Sequence, residues 1–519
     1  MNKYLKNTIT SLTAGLLALT AMPLSASAVN VPKKADSWDG TADTSWYDSE
    51  ADSFSIDTAE AFAGLAELVN AGDPMTGKSF YLERDLLLNA IGNYENWDTE
   101  PPANNWESIG TDKNAPFDGI FYGQGNTICG MYQKTTQMND HNFPIFCGGV
   151  FGTISENAEI SGIDCRYSYV HLEKEQIVPE NTRYFEISIP YAGGICGMSQ
   201  GGSITDCHFD GTVISLAASG GGMSNSAYAG GICGRNNADS SITNCSNRGT
   251  IFASYVAEEF DFIRVFCYAG GICGYAEDAS VNGCCNSGEV SAKAYYNGLA
   301  GGISGGMWHC VNIENAYNTG NISASTLSEN TTSITDGPAY FAMSGGIAGD
   351  CLAKNEEQQG SIRNCYNTGS LYSNGPIENF SSGGILGGTD VQYMDYTAKI
   401  VNCYYLDTTS DRCFGMGEAD DFAQTDAEMR EELFAGILWE AFYYQPNHYP
   451  ILTWEADKTP DTGDVNGDGL FSLSDVVMMQ KFILGSEYLT VPQAGDAHLD
   501  LKLDGFDLAV MKRLLILAE

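Results

Sequence analysis

Residues 193–207 read GGICGMSQGGSITDC, and both phrases in this stretch recur along the chain. The second phrase, at 203–207, returns at 241–245 and 361–365. The first phrase is Gly-Gly-(Ile/Val)-x-Gly, and it begins at Gly148, Gly193, Gly230, Gly270, Gly301, Gly345 and Gly383. Repeats of this length indicate a solenoid or a propeller, in which each unit buries its apolar face only against its neighbours.

A third phrase, at 317–322 and 366–371, completes the repeat with Tyr-Asn-Thr-Gly, one polar residue and then an apolar residue. Short β-rich phrases, glycine corners and the lack of a helical period favour a β-solenoid. A propeller is the alternative, but its units need four alternating strands each, which these phrases do not supply. We therefore predict a mainly β fold in which each turn adds about 4.8 Å along the axis.

Residues 148–388 resemble a run of GLUG-motif repeats. The lead-in, with FDG at 117–119 and GQGNTI at 123–128, resembles the segment that commonly precedes them. The resemblance implies a parallel β-helix. It implies no particular reaction, because such repeats occur in secreted adhesins and in accessory regions of larger proteins.

All 16 cysteines lie between Cys129 and Cys413. An even number in a secreted chain is compatible with a disulfide framework. We favour core ladders of thiols, since equivalent positions in successive turns point the same way rather than at one another. A zinc site is not expected, because no Cys-x-x-Cys pair is present. The equivalent positions are Cys196, Cys233 and Cys273, and then Cys207, Cys245, Cys284, Cys365 and Cys403.

The repeats are flanked by predicted caps. A helix over 57–71, capped by Asp57 and ended by Gly72, precedes a strand over 80–88. A capping box at 425–428 opens a helix through Leu433, and 449–454 reads as a last strand. The predicted boundaries are a signal peptide at 1–28, an N-terminal cap with the first turns at 29–147, GLUG-like repeats at 148–417, a C-terminal cap at 418–454, a linker at 455–463 and a calcium-binding module at 464–519.

The signal peptide is predicted from Lys3 and Lys6, a short apolar core over 12–19 and the small-x-small pattern at 26–28. We find no later apolar run long enough to span a membrane. The product is therefore expected to be secreted and extracellular. Its formal charge of −41 argues against nucleic acid and anionic membrane surfaces as partners.

Residues 464–475 have the spacing of an EF-hand-type calcium loop. Gly469 stands at position 6, where a positive φ is needed, and Leu470 at position 7 offers its backbone carbonyl. Oxygen ligands at these spacings suit a hard cation. The predicted Ca²⁺ ligands of this first loop are Asp464, Asn466, Asp468, Leu470, Ser472 and Asp475.

The pattern returns 32 residues later as a second loop. His498 at position 3 is a poor Ca²⁺ ligand, and Leu501 at position 6 is disfavoured in the left-handed conformation. We therefore expect two Ca²⁺ sites, of which the second is weaker. Helices are predicted after the loops, over 476–484 and 508–517. The predicted ligands of the second loop are Asp496, Asp500, Lys502, Asp504 and Asp507.

Two similar loop–helix units in about 60 residues resemble a type I dockerin, and the resemblance covers 461–519. It implies a small all-α domain that folds with Ca²⁺ and binds a cohesin domain of a scaffoldin, as in a cellulosome. The two halves differ at the contact positions, so binding in two interchangeable orientations is not expected. The resemblance places the cohesin contacts at Leu473, Ser474, Lys481, Gly505, Phe506, Lys512 and Arg513.

Two classes of function remain open for the β-helix. It could be a binding module for polysaccharide or another surface, or a polysaccharide lyase or glycoside hydrolase acting on plant cell walls. Aromatic residues in the long segments 166–190, 253–268 and 325–342 could stack on sugars or could pin these segments to the solenoid. Asp206 with Asp210, and Arg264, do not stand out from 66 acidic residues, so we assign no catalytic residue.

Overall fold

The structure is a computed structural model, and the chain divides into two compact units, Lys34–Thr453 and a second unit that contains Trp454–Glu519. The predicted signal peptide at 1–28 lies outside the described residues. Those are 37–111, 115–138, 146–175, 187–219, 224–257, 266–327, 341–353, 355–375, 380–389, 397–415, 422–438, 441–444, 448–458, 463, 465–466, 471–484, 489, 492–495, 497, 503 and 505–518.

From Phe146 onward, each turn of the first unit visits four sheets in the same order. In one turn, strands Pro190–Gly193, Cys196–Gln200, Ser203–Thr205 and His208–Ser219 belong to sheets 1, 2, 3 and 4. Each strand pairs in parallel with its equivalent in the next turn, as Ser203–Thr205 does with Ser241–Thr243. The unit is therefore a parallel β-helix. This confirms the predicted fold class and shows that the propeller alternative is wrong.

Sheets 1 and 2 lie on either side of the Gly-Gly corner of the first phrase. Sheet 1 contains seven strands, Phe146–Gly148, Pro190–Gly193, Ala227–Gly230, Phe266–Gly270, Asn297–Gly301, Ala342–Gly345 and Phe380–Gly383. Sheet 2 contains seven strands, Phe151–Ile154, Cys196–Gln200, Cys233–Asn237, Cys273–Glu277, Ser304–Trp308, Ala348–Leu352 and Leu386–Gly388.

Sheets 3 and 4 are longer, because they also include strands that precede the first Gly-Gly phrase. Sheet 3 contains ten strands, Ser53–Ile56, Ser79–Leu82, Ile120–Tyr122, Glu159–Ser161, Ser203–Thr205, Ser241–Thr243, Ser280–Asn282, Asn312–Glu314, Ser361–Arg363 and Lys399–Val401. Sheet 4 contains fifteen, Leu86–Leu87, Thr127–Cys129, Tyr132–Met138, Asp164–Glu175, His208–Ser219, Ser246–Asn247, Thr250–Ala257, Cys285–Asn286, Val290–Ala294, Tyr317–Asn318, Ile322–Thr326, Tyr366–Asn367, Leu371–Asn374, Tyr404–Leu406 and Ala423–Gln424.

Cysteines form ladders inside the β-helix, as predicted from their equivalent positions. Cys196, Cys233 and Cys273 lie in register in neighbouring strands of sheet 2 and are fully buried thiols. In a second ladder, the backbone N–H of Cys207 donates to Sγ of Cys245 at 3.4 Å. Burial raises the pKa of both of these thiols. The thiols therefore act as small core side chains, and the disulfide framework is not seen for these residues.

A ladder of buried asparagines explains the third phrase. Asn247, Asn286, Asn318 and Asn367 occupy one register position of sheet 4, with at most 1% exposure. Each of the first three donates from Nδ2 to Oδ1 of the next asparagine at 2.7 Å. Each of the four also holds the glycine two residues later, as Asn318 does with Gly320. Because these polar groups are all paired, the ladder is compatible with a buried position.

The column of asparagines ends in an aromatic residue on both sides, Phe209 at one end and Tyr405 at the other. Both aromatic rings lie where a Cβ on the second glycine of the first phrase would be placed. The asparagine side chains take the same place beside their own glycines, as at Gly271 and Asn286. The Gly-Gly corner and the Asn-x-Gly phrase therefore pack against each other across each turn.

The N-terminal helix runs from Ala59 to Asn70, within the predicted 57–71. Its predicted apolar stripe is confirmed, because Phe62, Leu65 and Val69 are fully buried in the core of the β-helix. The predicted cap at Asp57 is wrong: Thr58 is the extended N-cap residue, and its hydroxyl accepts from the backbone N–H of Ala61. The predicted strand over 80–88 is two strands, Ser79–Leu82 and Leu86–Leu87.

At the C-terminal end, the predicted capping box between Thr425 and Glu428 is confirmed. The single predicted helix is wrong, because Asp426–Met429 ends at Arg430 and a second helix, Glu432–Ile437, follows. The predicted last strand is shorter, at Ile451–Leu452, and pairs antiparallel with Phe442–Tyr443.

A helix at Thr453–Lys458 occupies the start of the predicted linker, 455–463, so that segment does not begin as irregular chain. Three 3₁₀ helices are also described, at Ile91–Asn96, Glu356–Gln358 and Pro492–Gly495. The first of them packs beside sheet 4 through Tyr94.

Candidate metal centre

The second unit contains two longer helices, Leu473–Ile483 and Gly505–Ala518. Both begin three residues earlier than predicted from the apolar stripe. For the first helix the reason is local: Ser472 is the N-cap residue and Asp475 completes a capping box with it. Loop positions 10 to 12 are therefore the first helical turn.

Asp475 is the best-defined candidate ligand. Its side chain has no exposed surface, although it is a carboxylate. Oδ1 accepts from the backbone N–H of Asn466 at 3.1 Å, and Oδ2 accepts from the backbone N–H of Ser472 at 2.9 Å. A buried carboxylate needs hydrogen bonds or a cation, and these bonds fix Asp475 so that it faces the loop it closes.

Asn466 and Ser472 are the other described ligands predicted for the first loop. The Ser472 hydroxyl lies 3.1 Å from Oδ2 of Asp475 and 2.7 Å from Oγ of Ser474. The Asn466 side-chain amide donates to the same Oγ of Ser474 at 3.0 Å. The side chains at loop positions 3, 9 and 12 are thus brought together by the fold, and these residue types supply the oxygen ligands that a hard cation prefers.

The described end of the second loop resembles that of the first. Asp507 stands 32 residues after Asp475, in the first turn of the second helix, and its side chain is also fully buried. The other predicted ligands of both loops lie outside the described residues. They are Asp464, Asp468, Leu470, Asp496, Asp500, Lys502 and Asp504, together with Gly469, His498 and Leu501.

The two halves share one small core. Met479 and Met511, which are 32 residues apart, are fully buried in it. Val465 and Ala497, at position 2 of each loop, are buried in the same cluster. The backbone N–H of Gly463, just before the first loop, donates to the carbonyl of Ala494, just before the second, at 2.7 Å. The two halves are therefore joined by this hydrogen bond just before the loops and by the shared core.

Gly463 has a structural requirement that the sequence pattern did not reveal. Its φ is +101°, and a Cβ there would lie 2.3 Å from the ring of Phe471. Only glycine combines this backbone conformation with this close approach. The Phe471 ring therefore packs directly against Gly463, next to the core of the module.

The surface of the two helices includes the residues predicted to contact cohesin. Leu473 is 65% exposed, and Val477 and Leu484 on the same face are 44% and 73% exposed. The remaining predicted contact residues are exposed where they are described, namely Ser474, Lys481, Gly505, Lys512 and Arg513, whereas the side chain of Phe506 lies outside the described residues.

The aromatic residues of the long segments are largely structural where they are described. The sequence had suggested that residues 166–190 form a surface insertion. Residues 166–175 instead continue the strand Asp164–Glu175. Tyr169 is 5% exposed and stacks on Tyr132 at 5.6 Å. Tyr184, Phe260, Phe262 and Tyr340 lie outside the described residues, as does Arg264.

The two acids named as a possible pair do not share one sheet face. Asp206 lies at the corner between sheets 3 and 4 with φ +52°, whereas Asp210 lies within the strand His208–Ser219, opposite Arg166. A second group, Glu277, Asp278 and His309, places three possible metal ligands within 4.8 Å of one another. There Glu277 pairs with Arg235 at 2.7 Å, and His309 lies 3.5 Å from Asp278.

Comparisons with known proteins agree with this geometry. The model of the type I dockerin domain matches residues 462–516, and the model of the GLUG motif matches residues 190–214 and 225–251. No curated protein matches the chain. A solved structure titled as a putative immunoglobulin A1 protease from Bacteroides ovatus is similar over 77% of this chain and 92% of that chain, with 17% identity and a TM-score of 0.43.

Within the described part of the chain, no helix is both long and apolar enough to cross a membrane.

Type I dockerin domains bind Ca²⁺ and have cohesin domains as their partners, and the buried aspartates and oxygen-bearing side chains of the second unit fit such an ion. The chain thus carries a C-terminal type I dockerin domain, at residues 462–516, together with a parallel β-helix that contains GLUG motifs.

Proposed function

We propose that this protein is a secreted, cellulosome-associated component that docks through its dockerin to a cohesin domain of a scaffoldin and displays its β-helix to polysaccharide or to another surface. The observation that carries the proposal is the exposed apolar face of the helix Leu473–Ile483, whose first turn contains the buried Asp475 at position 12 of the first calcium loop.

Calcium ordering supports this function in physical terms. Two Ca²⁺ ions would be held by the two loops, with Asp475 and Asp507 closing them as position-12 ligands. The second site is proposed to be weaker, because His498 and Leu501 replace residues that suit the loop. The ions would fix the first turn of each helix, and so would fix the residues that meet the cohesin.

The two helices offer different surfaces to a cohesin. Leu473, Val477 and Leu484 form an apolar face on the first helix. On the second helix, Gly505 and Ala509 stand 32 residues after Leu473 and Val477 and bury little apolar area, and the exposed charged pair Lys512 and Arg513 lies further along the same helix. Apolar area at an interface centre usually contributes more than charges at its rim. We therefore propose one preferred orientation, with the first helix at the centre of the contact.

For the β-helix, we propose a role in polysaccharide binding during polysaccharide breakdown. The alternative is a β-helix polysaccharide lyase or glycoside hydrolase. The binding role is favoured because the two acids that the sequence offered as a catalytic pair occupy different parts of the turn, Asp206 at a corner and Asp210 within a strand. An assay of the full chain for reducing ends and for unsaturated products, on a panel of plant polysaccharides, separates the two.

The docking proposal is tested by titrating the full chain with a type I cohesin in calorimetry, with Ca²⁺ and then with a chelator. We expect binding only with Ca²⁺. Leu473→Glu should weaken binding more than tenfold, because it places a charge in the apolar centre, whereas the matched variant Gly505→Glu should change it less. Equal losses for both variants would contradict a preferred orientation, and binding that survives chelation would contradict calcium-dependent docking.

A further inference from the structure

One outward-facing column of sheet 4 changes its chemistry along the β-helix. The residue that follows the buried core position is Arg166, Asp210 and Arg248 in three successive turns, and then Ser287, Thr319 and Thr368. The neighbouring outward column holds Asp164 and His208 in the first two of these turns. We call Asp164, Arg166, Asp210 and Arg248 the charged patch.

The far end of the same sheet is covered. There the neighbouring column holds Tyr317 and Tyr366, which stack at 5.0 Å and are 7% and 0% exposed. Phe442 packs against both rings, and the Tyr366 hydroxyl donates to the carbonyl of Pro450 at 2.5 Å. The C-terminal cap therefore closes this face at one end, whereas Asp210 and Arg248 at the other end remain exposed.

The backbone is irregular at the charged patch. The register of the strand Asp164–Glu175 shifts between Arg166 and Ser168, so Tyr167 is an extra residue, and its φ is +49°. A bulky side chain in this conformation is an outlier, and bulges of this kind re-aim side chains at functional sites. The regular turns instead carry Asn-x-Gly here.

Aromatic rings stand beside the patch. Tyr94, from the 3₁₀ helix Ile91–Asn96, lies 6.0 Å from Tyr167 in an edge-on arrangement. The Tyr94 hydroxyl donates to the carbonyl of Ser168 at 3.2 Å and lies 3.3 Å from Oγ1 of Thr212. These bonds fix the Tyr94 ring, so the patch has a rigid aromatic side wall.

The charges of the patch are only partly satisfied by one another. Arg166 donates from Nε and Nη2 to one oxygen of Asp164, at 2.9 and 2.5 Å. Burial opposes the ionisation of Asp164, but this arginine outweighs it and lowers the pKa of that carboxyl. Within the described part of the chain, the side chains of Asp210 and Arg248 form no hydrogen bond or ion pair.

The Arg248 guanidinium interacts electrostatically with Asp210 and Asp164, but among the described residues it has no side-chain hydrogen-bond acceptor, so its donors are available to a ligand. Its planar fork binds a ligand carboxylate through two parallel hydrogen bonds. The carboxylates of the patch accept hydrogen bonds from hydroxyl groups, and tyrosine rings contact the apolar face of a sugar ring. A phosphate or a purely acidic peptide offers few hydroxyl donors and would leave the Asp210 carboxylate without a donor from the ligand.

We propose that the charged patch, with Tyr94 and Tyr167 as its wall, is a binding site for oligosaccharides that contain uronic acid. Arg248 contacts the sugar carboxylate, Asp210 accepts from ring hydroxyls, and the Asp164–Arg166 pair forms the floor. The inference rests on the proposed polysaccharide-binding role of the β-helix and specifies its ligand.

The test uses calorimetry on the full chain with trigalacturonate and, as the neutral comparator, xylotriose. We expect trigalacturonate to bind, with affinity that falls as salt rises, and xylotriose to bind more weakly. Arg248→Ala should weaken trigalacturonate binding about tenfold or more, and Arg248→Lys should restore only part of it. The matched control is Arg363→Ala, an exposed arginine on sheet 3, which should change nothing.

The outcomes separate the two proposals. If plant polysaccharides bind the chain but Arg248→Ala behaves like Arg363→Ala, the charged patch is not the site and the polysaccharide-binding role stands. If xylotriose binds as tightly as trigalacturonate, the assignment to uronic acid is overturned. If no polysaccharide and neither trisaccharide binds, both proposals are overturned. Arg248 is exposed and makes no described side-chain contact, so thermal melts should match across the variants.

Discussion

The β-helix and the dockerin bury polar groups in opposite ways. In the β-helix, each ladder asparagine finds its partners in its own turn and in the neighbouring turn, at 2.7 Å between amides. Among the described residues of the dockerin, the fully buried polar side chains are those of Asp475 and Asp507, at the ends of the two predicted calcium loops. The ladder asparagines are thus satisfied by their own repeats, whereas the aspartates stand where the predicted cation would be bound. Their stabilities should therefore respond to different variables.

Removal of Ca²⁺ should have the largest effect, and only in the dockerin. A ligand that binds the folded state at about 1,000 times its dissociation constant stabilises it by about 4 kcal/mol, and chelation removes this stabilisation. Calorimetry of the full chain should show two transitions, of which a chelator lowers only the one assigned to residues 462–516. A shift of both transitions would show that the β-helix also depends on the metal.

Deletion of one rung of the asparagine ladder should affect the β-helix alone. Asn318→Ala removes the bonds to Asn286 and Asn367 and leaves buried amide groups with fewer partners. We expect a loss of about 2–3 kcal/mol in the free energy of unfolding of this unit. Asn321→Ala, at an exposed position of the same turn, is the matched control and should cost less than about 0.5 kcal/mol. Cohesin binding should not change in either variant.

The same substitution should have different effects on Ca²⁺ binding and folding in the two calcium loops. Asp475→Asn removes the charge at position 12 of the loop with the intact pattern, and we expect Ca²⁺ affinity at that site to fall at least about tenfold. Asp507→Asn makes the same change in the loop that carries His498 and Leu501, and should matter less for folding. Circular dichroism during Ca²⁺ titration of both variants measures the difference. A larger effect of Asp507→Asn would reverse the proposed order of the sites.

The smallest effect expected concerns pH and the β-helix. Burial lowers the pKa of His171 to about 3, and its Nε2 is buried without a hydrogen bond. The unfolded state, with a pKa near 6.5, binds the proton more readily, so stability is lost as pH falls below about 6.5. Between pH 7 and pH 5, we expect His171→Leu to lose about 1–2 kcal/mol less than the natural chain, as measured by chemical denaturation. Equal losses would show that His171 has the same pKa in the folded and the unfolded state.

The sequence repeats predicted the β-helix and the cysteine ladders, because both follow from equivalent positions one turn apart. The asparagine ladder was not foreseen, although its phrase was visible. A buried amide such as Asn318 is favourable only when the next turn supplies its partner. The sequence of a single turn does not reveal whether that partner is present. The predicted start of the helix Leu473–Ile483 was three residues late, because Ser472 was considered only as a calcium ligand and not also as the N-cap residue.

The charged patch was not predicted for a similar reason. Tyr167 was read as part of a surface insertion, whereas it is a bulge inside a strand. Asp164 and Asp210 are 46 residues apart in the sequence and come close only because successive turns stack. In the dockerin, the order of the predicted ligands along each loop is local, so a candidate calcium site could be proposed from sequence alone.

Hydrogen exchange measured on the full chain with and without Ca²⁺ tests the central contrast most directly. We expect chelation to raise exchange in the helices Leu473–Ile483 and Gly505–Ala518, and to leave the strands of sheets 1 to 4 as protected as before. Unchanged protection in the two helices, or a general loss of protection across the β-helix, would contradict the account.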